Sequence, residues 1–153
     1  MYKIEDYDCF DLTLANGKIS SYTDKLSGLK LKSFHPRLAQ SQVAKIYILK
    51  EGKTYLYVGT TIQSLQKRFR QGFTATGKTG YHGYKWKKKE KVQLFAWCLP
   101  GLSKIQIESI EAELAFLIRE KTSKWPLAQN EIHFNNDFID GKKFAKGIFR
   151  CTT

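Results

Sequence analysis

From Val43 to Lys50 the chain carries a nearly unbroken apolar run, and from Tyr55 to Val58 a second, with Glu51-Gly52-Lys53 between them. Two such runs around a short polar, glycine-containing break predict an antiparallel hairpin. Upstream, Phe10, Leu12 and Leu14 alternate with polar residues, Asn16-Gly17 marks a turn, and Ile19 and Tyr22 resume the alternation. This predicts a smaller hairpin, followed by a connector that ends at His35-Pro36-Arg37. Thr60-Thr61-Ile62-Gln63 has the form of a capping box, and Ile62, Leu65, Phe69 and Phe73 then share one face of a helix of about three turns. Val92 to Cys98 reads as a buried strand closed by Pro100-Gly101.

A second capping box, Ser103-Lys104-Ile105-Gln106, opens a longer helix. Ile107, Ile110, Leu114, Leu117 and Ile118 line one side of it as far as about Lys121, and Trp125-Pro126 stops it. Beyond Asn130, turns at Asn135-Asn136 and Asp140-Gly141 predict irregular chain with one or two short strands. The order strand, strand, helix, strand, helix gives an α+β fold, a small mixed or antiparallel β-sheet with flanking helices. At 153 residues, 42% of them hydrophobic, the chain suits one domain.

Charge narrows the partner. Lys and Arg number 26 against 14 Asp and Glu, a formal net charge of +12, which favours a polyanion through phosphate neutralisation and counterion release. Aromatic residues make up 14% of the chain, so this charge sits on a folded surface rather than a disordered basic tail. Cys9, Cys98 and Cys151 are widely separated and include no Cys-x-x-Cys pair, which points away from a zinc knuckle or disulfide framework and toward a reducing cytoplasm. The acidic N-terminus has no signal-like apolar run, and no stretch is apolar enough to span a bilayer, so a soluble cytoplasmic protein without a membrane partner is expected.

Five separated features then carry candidate chemistry: Lys45-Ile46-Tyr47, Tyr57-Val58-Gly59, Arg68 within Leu65-Gln66-Lys67-Arg68-Phe69, Glu113 and Asn130. In order and spacing they resemble the GIY-YIG nuclease superfamily over residues 43–134, which implies a catalytic core there with extensions at 1–42 and 135–153. Lys45 stands where that family has glycine. The resemblance implies a GIY-YIG-like fold and a metal-dependent DNA endonuclease that hydrolyses phosphodiester bonds in a restriction, homing or repair setting. It implies roles for Tyr47 in activating water, Tyr57 in positioning water or phosphate, Arg68 in offsetting transition-state charge, and Glu113 in holding magnesium, or manganese in its place. Asn130 either hydrogen-bonds the site or caps a turn.

The residues themselves add constraints. Side chains alternate along a strand, so Tyr47 and Tyr57 share a sheet face if the turn between the strands has odd length, as Glu51-Gly52-Lys53 would. Lys45 falls on the same face as Tyr47, which makes it a candidate to tune the tyrosine, with Lys53 and His82 as further basic groups. Tyrosine needs such help, because its ordinary pKa of about 10 makes it a weak base at neutral pH. On the long helix Glu111 and Glu113 border opposite sides of the apolar stripe; helical geometry leaves the choice open, and the family pattern favours Glu113. His82 sits in a glycine-flanked loop where an imidazole could move a proton or touch phosphate.

Arg70, Lys78, Lys85, Trp86, Lys87, Lys88 and Lys89 make up a basic, aromatic stretch suited to a double-stranded DNA track. Cleaving both strands would call for two sites, hence a homodimer or paired nicking. The rival expectation is a non-catalytic nucleic-acid-binding module that keeps the fold.

Overall fold

The computed structural model describes residues 2–129, 132, 134, 135 and 137–153. Its centre is one open, antiparallel six-stranded sheet of β1 (Asp8–Ala15), β2 (Lys18–Asp24), β3 (Lys30–Leu31), β4 (Lys45–Glu51), β5 (Thr54–Thr61) and β6 (Lys91–Cys98), in the order β3-β2-β1-β6-β4-β5. The class is therefore α+β. The N-terminal residues are more than an extension, because β1 lies between β2 and β6 and makes the sheet continuous. The β1–β2 turn is the expected Asn16-Gly17, with both residues in the left-handed region at φ 52° and 69°.

Helices cover both faces. On one side lie α1 (Pro36–Ala39), α2 (Leu65–Thr74) and a 3-10 turn (Lys85–Lys88), and on the other α3 (Lys104–Thr122) and α4 (Gly141–Cys151). Tyr47, Leu49, Leu65, Phe69, Tyr84, Trp86 and Leu94 share the first core, while Ile46, Ile48, Val58, Trp97, Ile107, Ile110, Leu114 and Ile148 share the second. β4 is thus buried on both faces, which is why Ile46-Tyr47-Ile48-Leu49 has no polar break. Among the described residues no helix is long and apolar enough to cross a membrane.

Three local expectations change. The β4–β5 turn is two residues long, Gly52-Lys53, with Glu51 opposite Thr54 and Gly52 at φ 57°. A bulge then shifts the pairing from Lys50↔Tyr55 to Leu49↔Tyr57, which restores an even register and returns Tyr57 to the Tyr47 face. The capping box at Thr60 does not form, because Thr60 and Thr61 still pair with Ile46 and Lys45 in the hairpin. Ser64 caps α2 instead, accepting from Lys67 N, and Ile62 packs on the opposite core. The C-terminal segment is helical, since burying Ala145 and Ile148 against α3 outweighs the cost of Gly141 and Gly147.

The capping box of α3 forms as expected. Ser103 accepts from Gln106 N at 3.2 Å, and the Gln106 side chain accepts from Ser103 N at 2.8 Å. After α3, residues 127–129 return along the outer edge of β5. Leu127 N donates to Tyr55 O at 3.0 Å and Ala128 N to Leu56 O at 2.7 Å. The Gln129 side-chain amide accepts from Val58 N at 2.9 Å and donates to Val58 O at 3.0 Å.

Candidate functional site

The β5 border of the sheet, where α2 and α3 approach from opposite faces, gathers the residues with chemical potential. Tyr47 and Tyr57 stand side by side on one face with ring centroids 6.0 Å apart. Their approach depends on Gly59, which pairs with Tyr47. A Cβ at position 59 would lie 2.5 Å from the Tyr47 hydroxyl oxygen and 2.6 Å from Cε1 of Tyr57.

A third tyrosine completes the cluster. Tyr84 is buried beneath α2, with its hydroxyl 2.7 Å from that of Tyr47 and its ring 5.2 Å from that of Tyr57. It is docked by backbone. Tyr84 N donates to Gly72 O at 3.0 Å, and a Cβ on Gly72 would come within 2.7 Å of Tyr84 Cζ. The preceding Gly83, at φ 76°, leaves no room for a side chain above the Gly72 carbonyl. Arg68 closes the cluster from α2: its guanidinium lies 5.1 Å from the Tyr84 ring centre, and Nη1 donates to the Tyr81 hydroxyl at 2.9 Å.

The carboxylate comes from α3, and it is Glu111. The residues of that helix buried on the sheet are Ile107, Ile110, Leu114 and Ile118, whereas Leu117 is only partly buried and lines the groove against α4. Recentring the stripe on those residues puts Glu111 roughly 55° from its middle and Glu113 roughly 105° away on the other side, at 100° per residue. Glu111 accordingly reaches the β5 edge. It accepts from Thr60 Oγ1 at 3.3 Å and lies within electrostatic reach of Tyr57 and Arg68. Glu113 lines the α3–α4 groove with Phe116, Lys142 and Lys146, away from the tyrosines.

Electrostatics follow from burial. Burial, reinforced by Tyr84 and Tyr57, holds the Tyr47 hydroxyl well above its ordinary pKa, so it is neutral at any physiological pH. Burial and then the Glu111 charge push Tyr57 up to about 12. Glu111 itself is raised to about 7 by burial, against the pull of the Thr60 hydroxyl and Arg68. Burial lowers the affinity of Arg68 for its proton, but the phenol oxygens of Tyr47, Tyr84 and Tyr81 more than reverse this.

Other expected site residues go elsewhere. Lys45 is fully buried, and its ammonium donates to Gln40 O at 2.5 Å, Val43 O at 2.9 Å and Gln63 O at 3.0 Å. All its donors are used by backbone carbonyls, so it is an internal clamp and not a proton-tuning group for Tyr47. The His82 ring is exposed and lies against Gly77. Trp86 is a core residue, stacked on Tyr84 at 4.7 Å with 1% exposure, and has no face for a nucleic-acid base. Asn130 lies outside the described residues, as does His133.

The basic track is narrower than the sequence suggests. Lys87 donates to Ala75 O and His82 O, and Lys89 pairs with Glu51 at 3.0 Å. Arg70, Lys78, Lys85 and Lys88 are exposed. Tyr81 and Tyr84 escaped sequence reasoning as site residues because they fell inside this basic run. Their neighbour Gly83 and the glycine four residues after Arg68 were the available signal.

Among the described residues no group of three or more His, Cys, Asp and Glu could share a metal ion. A single half-buried carboxylate beside a hydroxyl still suits a hard cation such as magnesium, which keeps several of its own waters and takes substrate oxygens. Compared with protein-family models, curated proteins and solved structures, the chain matches none.

Proposed function

We propose that this protein is a metal-dependent DNA endonuclease of GIY-YIG-like fold that hydrolyses phosphodiester bonds at the β5 edge. One observation carries the reading: Tyr47, Tyr57, Arg68 and Glu111, drawn from β4, β5, α2 and α3, converge on one partly open spot with Tyr81 and Tyr84. An arginine offers bidentate hydrogen bonds to phosphate and stays charged through the reaction. Arg68 would therefore grip the scissile phosphate and offset the charge that builds on it. With Tyr47 neutral, its part is to hydrogen-bond and orient the attacking water, with Tyr84 fixing the direction of its hydroxyl. Tyr57, the more accessible of the hairpin pair, would hold a phosphate oxygen. Glu111 is the residue that would hold magnesium or manganese, which supplies Lewis-acid polarisation of the phosphate when bound.

The alternative is a nucleic-acid-binding module of the same fold without turnover. Tyr47 favours it, being fully buried with its hydroxyl already engaged by Tyr84. Nicking of supercoiled plasmid with Mg²⁺ or Mn²⁺ separates the two. The wild type and Glu113→Ala should nick alike, Glu111→Ala should be inactive, and Arg68→Ala should lose about 10²- to 10³-fold. Undiminished nicking by Glu111→Ala would sink the carboxylate assignment. Binding without cleavage by the wild type would establish the module instead.

A further inference from the structure

Helix α4 carries a feature that the tyrosine site does not use. Lys142, Lys143, Lys146 and Arg150 are all exposed. At 100° per residue they occupy an arc of roughly 100°. Lys142, Lys146 and Arg150 follow one another at about 6 Å along the axis, given the 1.5 Å rise per residue. None of the four forms an ion pair among the described residues. From α3, Arg119 and Lys121 line the grooves that Lys142, Lys146 and Arg150 border, where the acids are Glu113 and Glu120, and a further groove bordered by all four cations adds Glu5 and Asp140.

The opposite side of α4 is occupied. Ala145 and Ile148 are buried in the core, Phe149 stacks on Tyr55 at 5.7 Å, and Phe144 packs against Tyr2 and Phe138. The apolar side of the helix is therefore packed on its neighbours rather than offered to a lipid surface, and its rings are engaged by other rings rather than by an unpaired base. What it offers is a row of cations inclined across the helix, without ion pairs among the described residues, a complement to a line of phosphates.

We propose that the solvent face of α4 is a second nucleic-acid surface, one that binds the phosphate backbone of a duplex and is separate from the β5-edge site. It rests on the nucleic-acid part of the function proposed above and not on cleavage. The test is the salt dependence of binding to a short DNA duplex in EDTA, where no cleavage occurs. The wild type is compared with Lys142→Gln/Lys146→Gln/Arg150→Gln and with a charge-matched control, Lys18→Gln/Lys30→Gln/Lys32→Gln, at the far end of the sheet. Circular dichroism and Tm verify that both variants are folded.

At a slope of roughly 0.9 per phosphate contact, the α4 variant should lose about 2 to 3 units from the log K against log [salt] slope. The control should lose less than 1 unit by the same measure. Equal losses in the two variants, or no loss in the α4 variant, would overturn the proposal. So would α4-dependent binding to vesicles of phosphatidylcholine and phosphatidylserine with the duplex slope unchanged, which would assign the row to a membrane. A wild type that fails to nick plasmid while the α4 slope difference persists would remove the nuclease reading and leave this one standing. Nicking with identical slopes would do the reverse.

Discussion

At the scale of single residues, Glu111 has the most measurable consequence. Its carboxyl is raised from 4.5 to about 7, so the folded chain holds that proton more tightly than the unfolded chain does. The stability this contributes is complete below pH 4.5 and is lost as pH climbs through about 7. Glu111→Gln removes the penalty. The variant should match wild type near pH 4 and exceed it by about 1–2 kcal/mol at pH 8, after discounting for solvent screening of a partly exposed group. Paired Tm-versus-pH profiles measure this, and parallel profiles would contradict it. Added Mg²⁺ at pH 8 should raise the Tm of wild type and not of the variant, because only a species bound by the folded state stabilises it. Lys45 shows the limit of sequence at this scale. Its strand face can be read from alternation, but not the destination of its long stem, which reaches carbonyls at Gln40 and Gln63.

Among elements, the β4–β5 hairpin rests on Gly59. Gly59→Ala would wedge a methyl between the Tyr47 and Tyr57 rings. It should cost about 1–3 kcal/mol, the usual penalty for overpacking a tight core, and abolish nicking. Urea denaturation and the plasmid assay read the two effects, and a stable, active variant would show that the tyrosine spacing is dispensable. The hairpin and its shared tyrosine face were legible from the apolar runs. The means were not, because a two-residue turn plus a bulge and a three-residue turn give the same parity at Tyr57. In α3 the apolar positions were legible, but the stripe alone left Glu111 and Glu113 open and the family pattern favoured Glu113; Leu117 packs toward α4 beside Glu113, while Glu111 reaches Thr60 at the β5 edge. Helix α4 was hidden by Asp140-Gly141 and Gly147, whose local preference for turns is overcome only by contacts with residues some thirty positions earlier.

For the whole molecule, the important fact is a sheet buried on both sides. Trp86 lies in one core and Trp97 in the other, on opposite faces, while Trp125 is exposed. If the six strands make one cooperative unit, a Trp86-only variant and a Trp97-only variant should report the same urea midpoint by fluorescence. Separate midpoints would mean that the cores on the two faces of the sheet unfold independently. The continuous pairing of β1 with β6 argues for one transition. That the N-terminal strands join the catalytic-candidate sheet was not legible, since periodicity identifies strands but not their neighbours.

The backbone of β5 has a bearing on how copies of this protein can meet. An outermost strand ordinarily offers its amides and carbonyls to any other extended chain, a route to fibrils and strand-paired dimers. Here Leu127, Ala128 and the Gln129 amide already occupy that outer row from Tyr55 to Val58. The opposite border is β3, only two residues long. Strand addition is thus blocked along Tyr55–Val58 at one border, whereas at the other β3 covers only Tyr22 and Thr23 of β2, which makes the β2–β3 border the place where an extended segment of a second copy could pair.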